Sequence, residues 1–134
     1  MKKLSLIFTF SALFLSSTIE AQQTEYVHYS TQQLIDSILS YEEKGDYEKA
    51  VEWIDKINEN DSIYSSVLTT KVSYLLELEK YDEAVKICDE QLKNKNEYTY
   101  YFYLNKGFAY RYKAEKFEDN KKKKNALLNK AVET

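Results

Sequence analysis

A chain of 134 residues has room for one hydrophobic core, because domains cluster at roughly 100 to 150 residues. Its 43% hydrophobic and 31% charged residues describe a globular protein rather than a disordered one, and with no proline and two glycines it lacks the turn formers on which a β-rich fold draws. The formal charge of −3 supplies no basic field of the kind that a general nucleic-acid binder needs, so no nucleic-acid partner is expected.

The first predicted element is an address. Lys2 and Lys3 precede an apolar stretch from Leu4 to Leu15, and small and polar residues then lead to Ile19-Glu20-Ala21-Gln22. This is the layout of a secretory signal peptide over residues 1–21, and the apolar stretch falls short of the ~20 residues that cross a bilayer. Cleavage after Ala21 removes Lys2, Lys3 and Glu20 and leaves 17 basic residues against 21 acidic ones. The mature chain is expected in the periplasm or outside the cell, with no membrane span. Residues 22–30 form a short lead-in that contains His28, the only histidine.

From residue 31 the chain repeats itself. Tyr47-Glu48-Lys49-Ala50-Val51 recurs as Tyr81-Asp82-Glu83-Ala84-Val85, so that position 47 is echoed at position 81, and a fixed period of this size marks an array of helical units. At the same offset Leu34, Ile38 and Tyr41 align with Leu68, Val72 and Leu75, and Ile54 aligns with Cys88. Leu34, Ile35, Ile38, Leu39 and Tyr41 predict a helix over about 31 to 43. Gly45-Asp46 breaks it, and Tyr47, Ala50, Val51, Ile54 and Ile57 resume the helical spacing. Gly45 suits a left-handed cap and Asp46 accepts from the free amides of the following helix. The second unit repeats this with Val67 to Leu78, a break near Glu79-Lys80, and Tyr81 to Leu92. Asn58 to Ser62 and Asn94 to Asn96 are the polar connectors.

Gly45, Tyr47 and Ala50, followed by Tyr81 and Ala84 with Glu79 in place of glycine, resemble the Gly-x-Tyr-x-x-Ala signature of the tetratricopeptide repeat family. Asn105-Lys106-Gly107-Phe108-Ala109-Tyr110 is similar to the first helix of a further unit, set one position later than the strict period. Phe117 to Lys124 then displaces the second helix of that unit, whose apolar face is Ala126, Leu127, Leu128, Ala131 and Val132; Lys121 to Lys124 reads as a solvated loop or helix start. The resemblance implies an all-α fold, a right-handed superhelical stack of antiparallel helix pairs with about three repeats: 31–62, 63–96 and a degenerate 97–134.

No catalytic constellation accompanies the repeats. One histidine cannot supply the ligand spacing of a metal site, and nothing places it beside a serine and an aspartate. Cys88 stands where the first unit has Ile54, as a buried small hydrophobe, and a single cysteine makes no intramolecular disulfide. Two isolated glycines do not build a phosphate loop. Neither an enzyme, a cofactor nor a metal is expected. Eight rings between Tyr98 and Tyr112 exceed what one helical stripe can bury; Phe102, Tyr103 and Tyr110 are the expected core, and the others face water, a groove or a partner.

In the resembled family the first helix of each unit lines a concave groove that holds a peptide or partner helix. The matching positions are Gln32, Ile35, Leu39, Glu42 and Glu43, then Ser66, Thr69, Ser73, Leu76 and Glu77, then Tyr101, Leu104, Phe108, Arg111 and Tyr112. Ile35 and Leu39 stand where some relatives grip a carboxylate, so no such clamp is expected; the mixture of polar and aromatic groups with acids at the first two units leads to the expectation of an extended or helical peptide with some positive charge. The apolar pattern runs on to Thr134 without a polar capping helix, which points to self-association, to a partner at that end, or to a fragment of a longer protein. A protein- or peptide-binding scaffold is the expected function; a sensory or accessory part of a larger envelope or signalling system, acting through self-association, is the alternative.

Overall fold

The computed structural model describes residues 28–134, so the expected signal peptide over 1–21 lies outside the described residues. The described chain is all-helical: α1 (Thr31–Glu43), α2 (Tyr47–Ile54), α3 (Tyr64–Glu77), α4 (Tyr81–Gln91), α5 (Thr99–Glu115) and α6 (Lys121–Val132). None of these helices is long and apolar enough to cross a membrane.

Local chemistry sets the boundaries. Ser30 caps α1 in a reciprocal box: its hydroxyl accepts from the Gln33 amide, and the Gln33 side chain accepts from the Ser30 amide at 2.9 Å. Gly45 adopts φ +69°, the left-handed turn that ends α1, and Asp46 accepts from the Lys49 amide at 3.1 Å to start α2. Glu79, the counterpart of Gly45 in the second unit, adopts the same left-handed conformation at φ +59°, where a side chain is strained. The hydroxyl of Thr31 donates to Asp61 at 2.7 Å and ties the connector after α2 back to α1; this bond, with the Ile63 amide, holds the Asp61 carboxyl below its ordinary range.

Each helix packs on the next one in the chain, and α3 also meets α5, whereas α2, α4 and α6 make no close backbone approach to one another. Leu34, Ile38, Ala50, Ile54 and Ile57 join Tyr74 in one buried cluster; Leu68, Val72, Leu75, Ala84 and Cys88 join Phe102 and Ala109 in the next. Ala50 and Ala84 are wholly enclosed, as close helix approach requires. Two ion pairs record the register between clusters. Lys71 of α3 binds Asp55 at the end of α2, and Lys106 of α5 binds Asp89 of α4 at 2.9 Å. The two lysines stand one position further apart in the chain than the two aspartates, so α5 is set one residue later than α3.

Two expectations need correction, and a third is decided. Of the expected aromatic core only Phe102 is buried; Tyr103 is 41% exposed and Tyr110 half-buried, because the small Ala109 and Ala114 take the enclosed places on α5. The apolar face of α6 buries nothing fully, and Ala126 and Val132 face solvent. Between loop and helix start, the lysine run is the latter: it forms the first turn of α6, capped by Asn120.

Cys88 is buried, and that burial pushes the thiol from 9.0 up to about 12. An acid whose pKa rises on folding leaves the native state at full advantage below pH 9.0 and weakens it as pH climbs toward 12. Iodoacetamide at pH 8 should therefore label Cys88 only when the protein is unfolded, which mass spectrometry with and without denaturant checks. Ala84→Trp should overpack the second cluster and lower stability by about 1 to 3 kcal/mol or more, whereas Lys93→Trp, on an exposed site, should leave the denaturation midpoint in place.

Candidate functional site

Among the described residues, a cleft opens between α1 and α3 and another along α5. The first separates α1 from α3. Ile35, Ile38, Leu39 and Glu42 form one wall, and Ser66, Val67, Thr70 and Tyr74 form the other, around a volume of about 320 Å³. Helical spacing places the four α1 residues on one stripe, and Leu39 remains 49% exposed there. Tyr74 is buried in the far wall, its ring stacked on Tyr47 with centroids 5.1 Å apart. Among the described residues its hydroxyl has no partner at hydrogen-bond geometry, although the Glu42 carboxylate lies near it. Burial, and then the nearby Glu42 carboxylate, raises the phenol's pKa above its ordinary value.

The second cleft, about 630 Å³, lies between α5 and α6. Tyr100, Tyr103, Leu104, Gly107, Phe108 and Arg111 line it from α5, and Leu128, Ala131, Val132 and Thr134 from α6 and its end. A methyl group on Gly107 would already reach contact with the Ala131 carbonyl oxygen at 3.5 Å, so a larger side chain would drive the two helices apart. The two clefts share a wall pattern. Ile35, Ile38, Leu39 and Glu42 recur two units later, at one constant offset, as Leu104, Gly107, Phe108 and Arg111. One substitution within that pattern reverses charge, from Glu42 to Arg111.

The structure does not gather the expected groove residues into one site. Glu42 and Ser66 line the first cleft, and Phe108 and Arg111 line the second. Tyr101 sits edge-on to Tyr100 at 5.9 Å outside the second cleft, and Tyr112 stacks on Phe108 at 5.9 Å and leans toward Tyr81. Gln32 donates to Asp36 at 2.8 Å on the outer surface of α1. Thr69 and Ser73 donate to carbonyls of their own helix, and Glu43 and Glu77 face solvent. Sequence reasoning named Tyr103 as core, Tyr100 as a ring left to water, groove or partner, and an apolar face on the last helix, but did not join them into one cleft, although 100, 103, 104, 107, 108 and 111 follow the i, i+3, i+4, i+7 rhythm of a single apolar stripe. It also missed Tyr74, whose neighbours in space come from α1 and α2.

His28 is exposed, ahead of α1 and away from both clefts. Comparison with protein-family models, with curated proteins and with solved structures finds no match to this chain.

The orphaned hydroxyl in the first cleft leads to a stability test. Tyr74→Phe should stabilise the protein by about 1 kcal/mol, since a buried polar group without a partner is a net penalty. A urea midpoint that falls instead would mean that the hydroxyl is bonded in solution.

Proposed function

We propose that this chain is an exported, non-catalytic helical-repeat module that binds a protein or peptide on the face formed by its odd-numbered helices. In this reading the helix pairs stack as tetratricopeptide-like units into a right-handed superhelix, and residues 1–21 direct the chain to the periplasm or beyond. The observation that carries it is the α1–α3 cleft, where Leu39 stands half in water on an apolar wall. Some support for the curvature comes from α3, which reaches α5 while the even helices stay apart; α1 and α3 make no such close approach and leave the cleft between them.

The ligand class follows from charge. Residues 31–62 hold nine acidic and three basic side chains, and Glu42 edges the cleft. A peptide with an apolar anchor for Leu39 and Ile35 and a lysine or arginine for Glu42 is the matching partner. Exposed carboxylates would raise its association rate more than its affinity, so binding should weaken with salt chiefly through the on-rate.

A tagged chain starting at Gln22, used to recover partners from the cell envelope, tests the reading. The partner should be retained by the native sequence and weakened about tenfold or more by the double change Leu39→Glu, Glu42→Lys, with the helical circular dichroism unchanged. Equal retention by both proteins would remove the α1–α3 cleft from the function.

A further inference from the structure

The first cleft supplies a template for what the second accepts. Its α1 wall is faced by a helix of the same chain, α3, which with its N-cap presents Ile63, Val67 and Tyr74 to it. The α5 wall repeats the α1 pattern, yet among the described residues no helix faces it in this way. Val132 is 87% exposed at its edge and Tyr100 69%. An apolar cleft left this open is an interaction surface of the kind that takes the face of an amphipathic helix.

We propose that the α5–α6 cleft binds an amphipathic helix of a different protein whose apolar stripe is flanked by acidic residues. Charge selects the partner. Residues 97–134 hold nine basic and five acidic side chains; Lys106, Lys113 and Lys116 are paired with Asp89, Asp82 and Glu79, and the five lysines of α6 form no ion pair among the described residues. Arg111, where the first cleft has Glu42, is paired among the described residues with the exposed Glu115 alone, at 3.4 Å, and can exchange that partner for a carboxylate of the incoming helix. The opposite ends of the described chain thus differ in sign, and each selects its own ligand.

A second copy of this chain fits poorly. Two α5–α6 faces would bring like charges together. The outer face of α1, which would have to enter the cleft as the next helix pair does, offers no apolar stripe either: Val67 and Tyr74 of α3 pack back on the preceding helix pair, and Phe102 and Ala109 of α5 do the same one register later. The positions of α1 that correspond to Val67 and Tyr74, one repeat earlier, are Gln33 and Ser40. That face is polar and closed to the cleft. The apolar stretch from Leu4 to Leu15 follows Lys2 and Lys3, whose charge has the same sign as Arg111 in the cleft.

Two synthetic helical peptides decide the matter. Both carry the stripe of Ile63, Val67 and Tyr74 at its native spacing; one has glutamate at the remaining positions and the other lysine. Each is titrated against the full chain and the chain from Gln22, with monomer state read by sedimentation. The glutamate peptide should bind and the lysine peptide should bind about tenfold more weakly or not at all. Leu104→Glu, Val132→Glu and Arg111→Glu should each weaken the glutamate peptide about tenfold or more, while Leu39→Glu leaves it unchanged. Val132 is solvent-exposed, so its substitution keeps the fold and the test holds even where Leu104→Glu does not fold.

Four outcomes would overturn the proposal. Equal affinity for the two peptides would remove the charge selection. A dimer abolished by Val132→Glu would make a second copy the occupant. Peptide binding confined to the chain from Gln22 would assign the cleft to the N-terminal segment. Co-sedimentation with phosphatidylserine vesicles, lost in Val132→Glu, would make the surface a membrane contact. Loss of envelope partners in the Leu39, Glu42 variant bears on the α1–α3 cleft alone and leaves this inference standing.

Discussion

Helices that lie close enough to share a core must carry small side chains where they meet, and in this protein that requirement falls on alanine. Ala50 and Ala84 are completely enclosed among the branched residues of adjoining helices, and Ala109 plays the same part between α5 and the α3–α4 pair. Contacts run from each helix to the next, so the buried clusters follow one another along the chain instead of merging into one centre. The energetic consequence is local dependence: each cluster is stabilised by its immediate neighbours, and a helix wall without a neighbour stays apolar and wet.

The two clefts express that dependence in opposite electrical settings. Both use the same row of positions on an odd-numbered helix, yet the charged residue in the lining is Glu42 in one and Arg111 in the other, within segments of opposite net charge. Surface charges of this sort contribute little to the stability of the fold, because water screens exposed ion pairs such as Lys49 with Glu52. Their effect lies in the choice between partners, because a like charge in a desolvated contact is heavily penalised.

Much of the architecture was legible in the order of residues. Helical spacing of Leu34, Ile38 and Tyr41 gave α1 its observed bounds, Gly45-Asp46 gave the turn, and the echo of the first unit placed α3 and α4. The third unit was harder to read because its aromatic residues are amphipathic: size alone does not say whether a tyrosine turns inward, and on α5 the enclosed places went to Ala109 and Ala114. The one-residue displacement of α5 was visible from Gly107, and its physical meaning emerged only with the Lys106–Asp89 pair, a contact between helices. The clefts were legible in part. Stripes on one helix can be counted from sequence, whereas the opposing wall comes from another helix and depends on how far apart the two are held.

Helix α6 combines three liabilities. It has no fully buried side chain, its first turn places four lysines at the positive end of the helix dipole, and only Asn120 caps that end, accepting from the Lys123 amide at 3.1 Å. Such an element opens at a lower free energy than helices anchored in a core, so amide exchange there runs ahead of global unfolding. One wall of the larger cleft is therefore compliant while the other, built on α5, is rigid. A ligand that settles against both would stiffen α6 as it binds, giving up affinity to ordering and gaining tolerance for helices of differing girth.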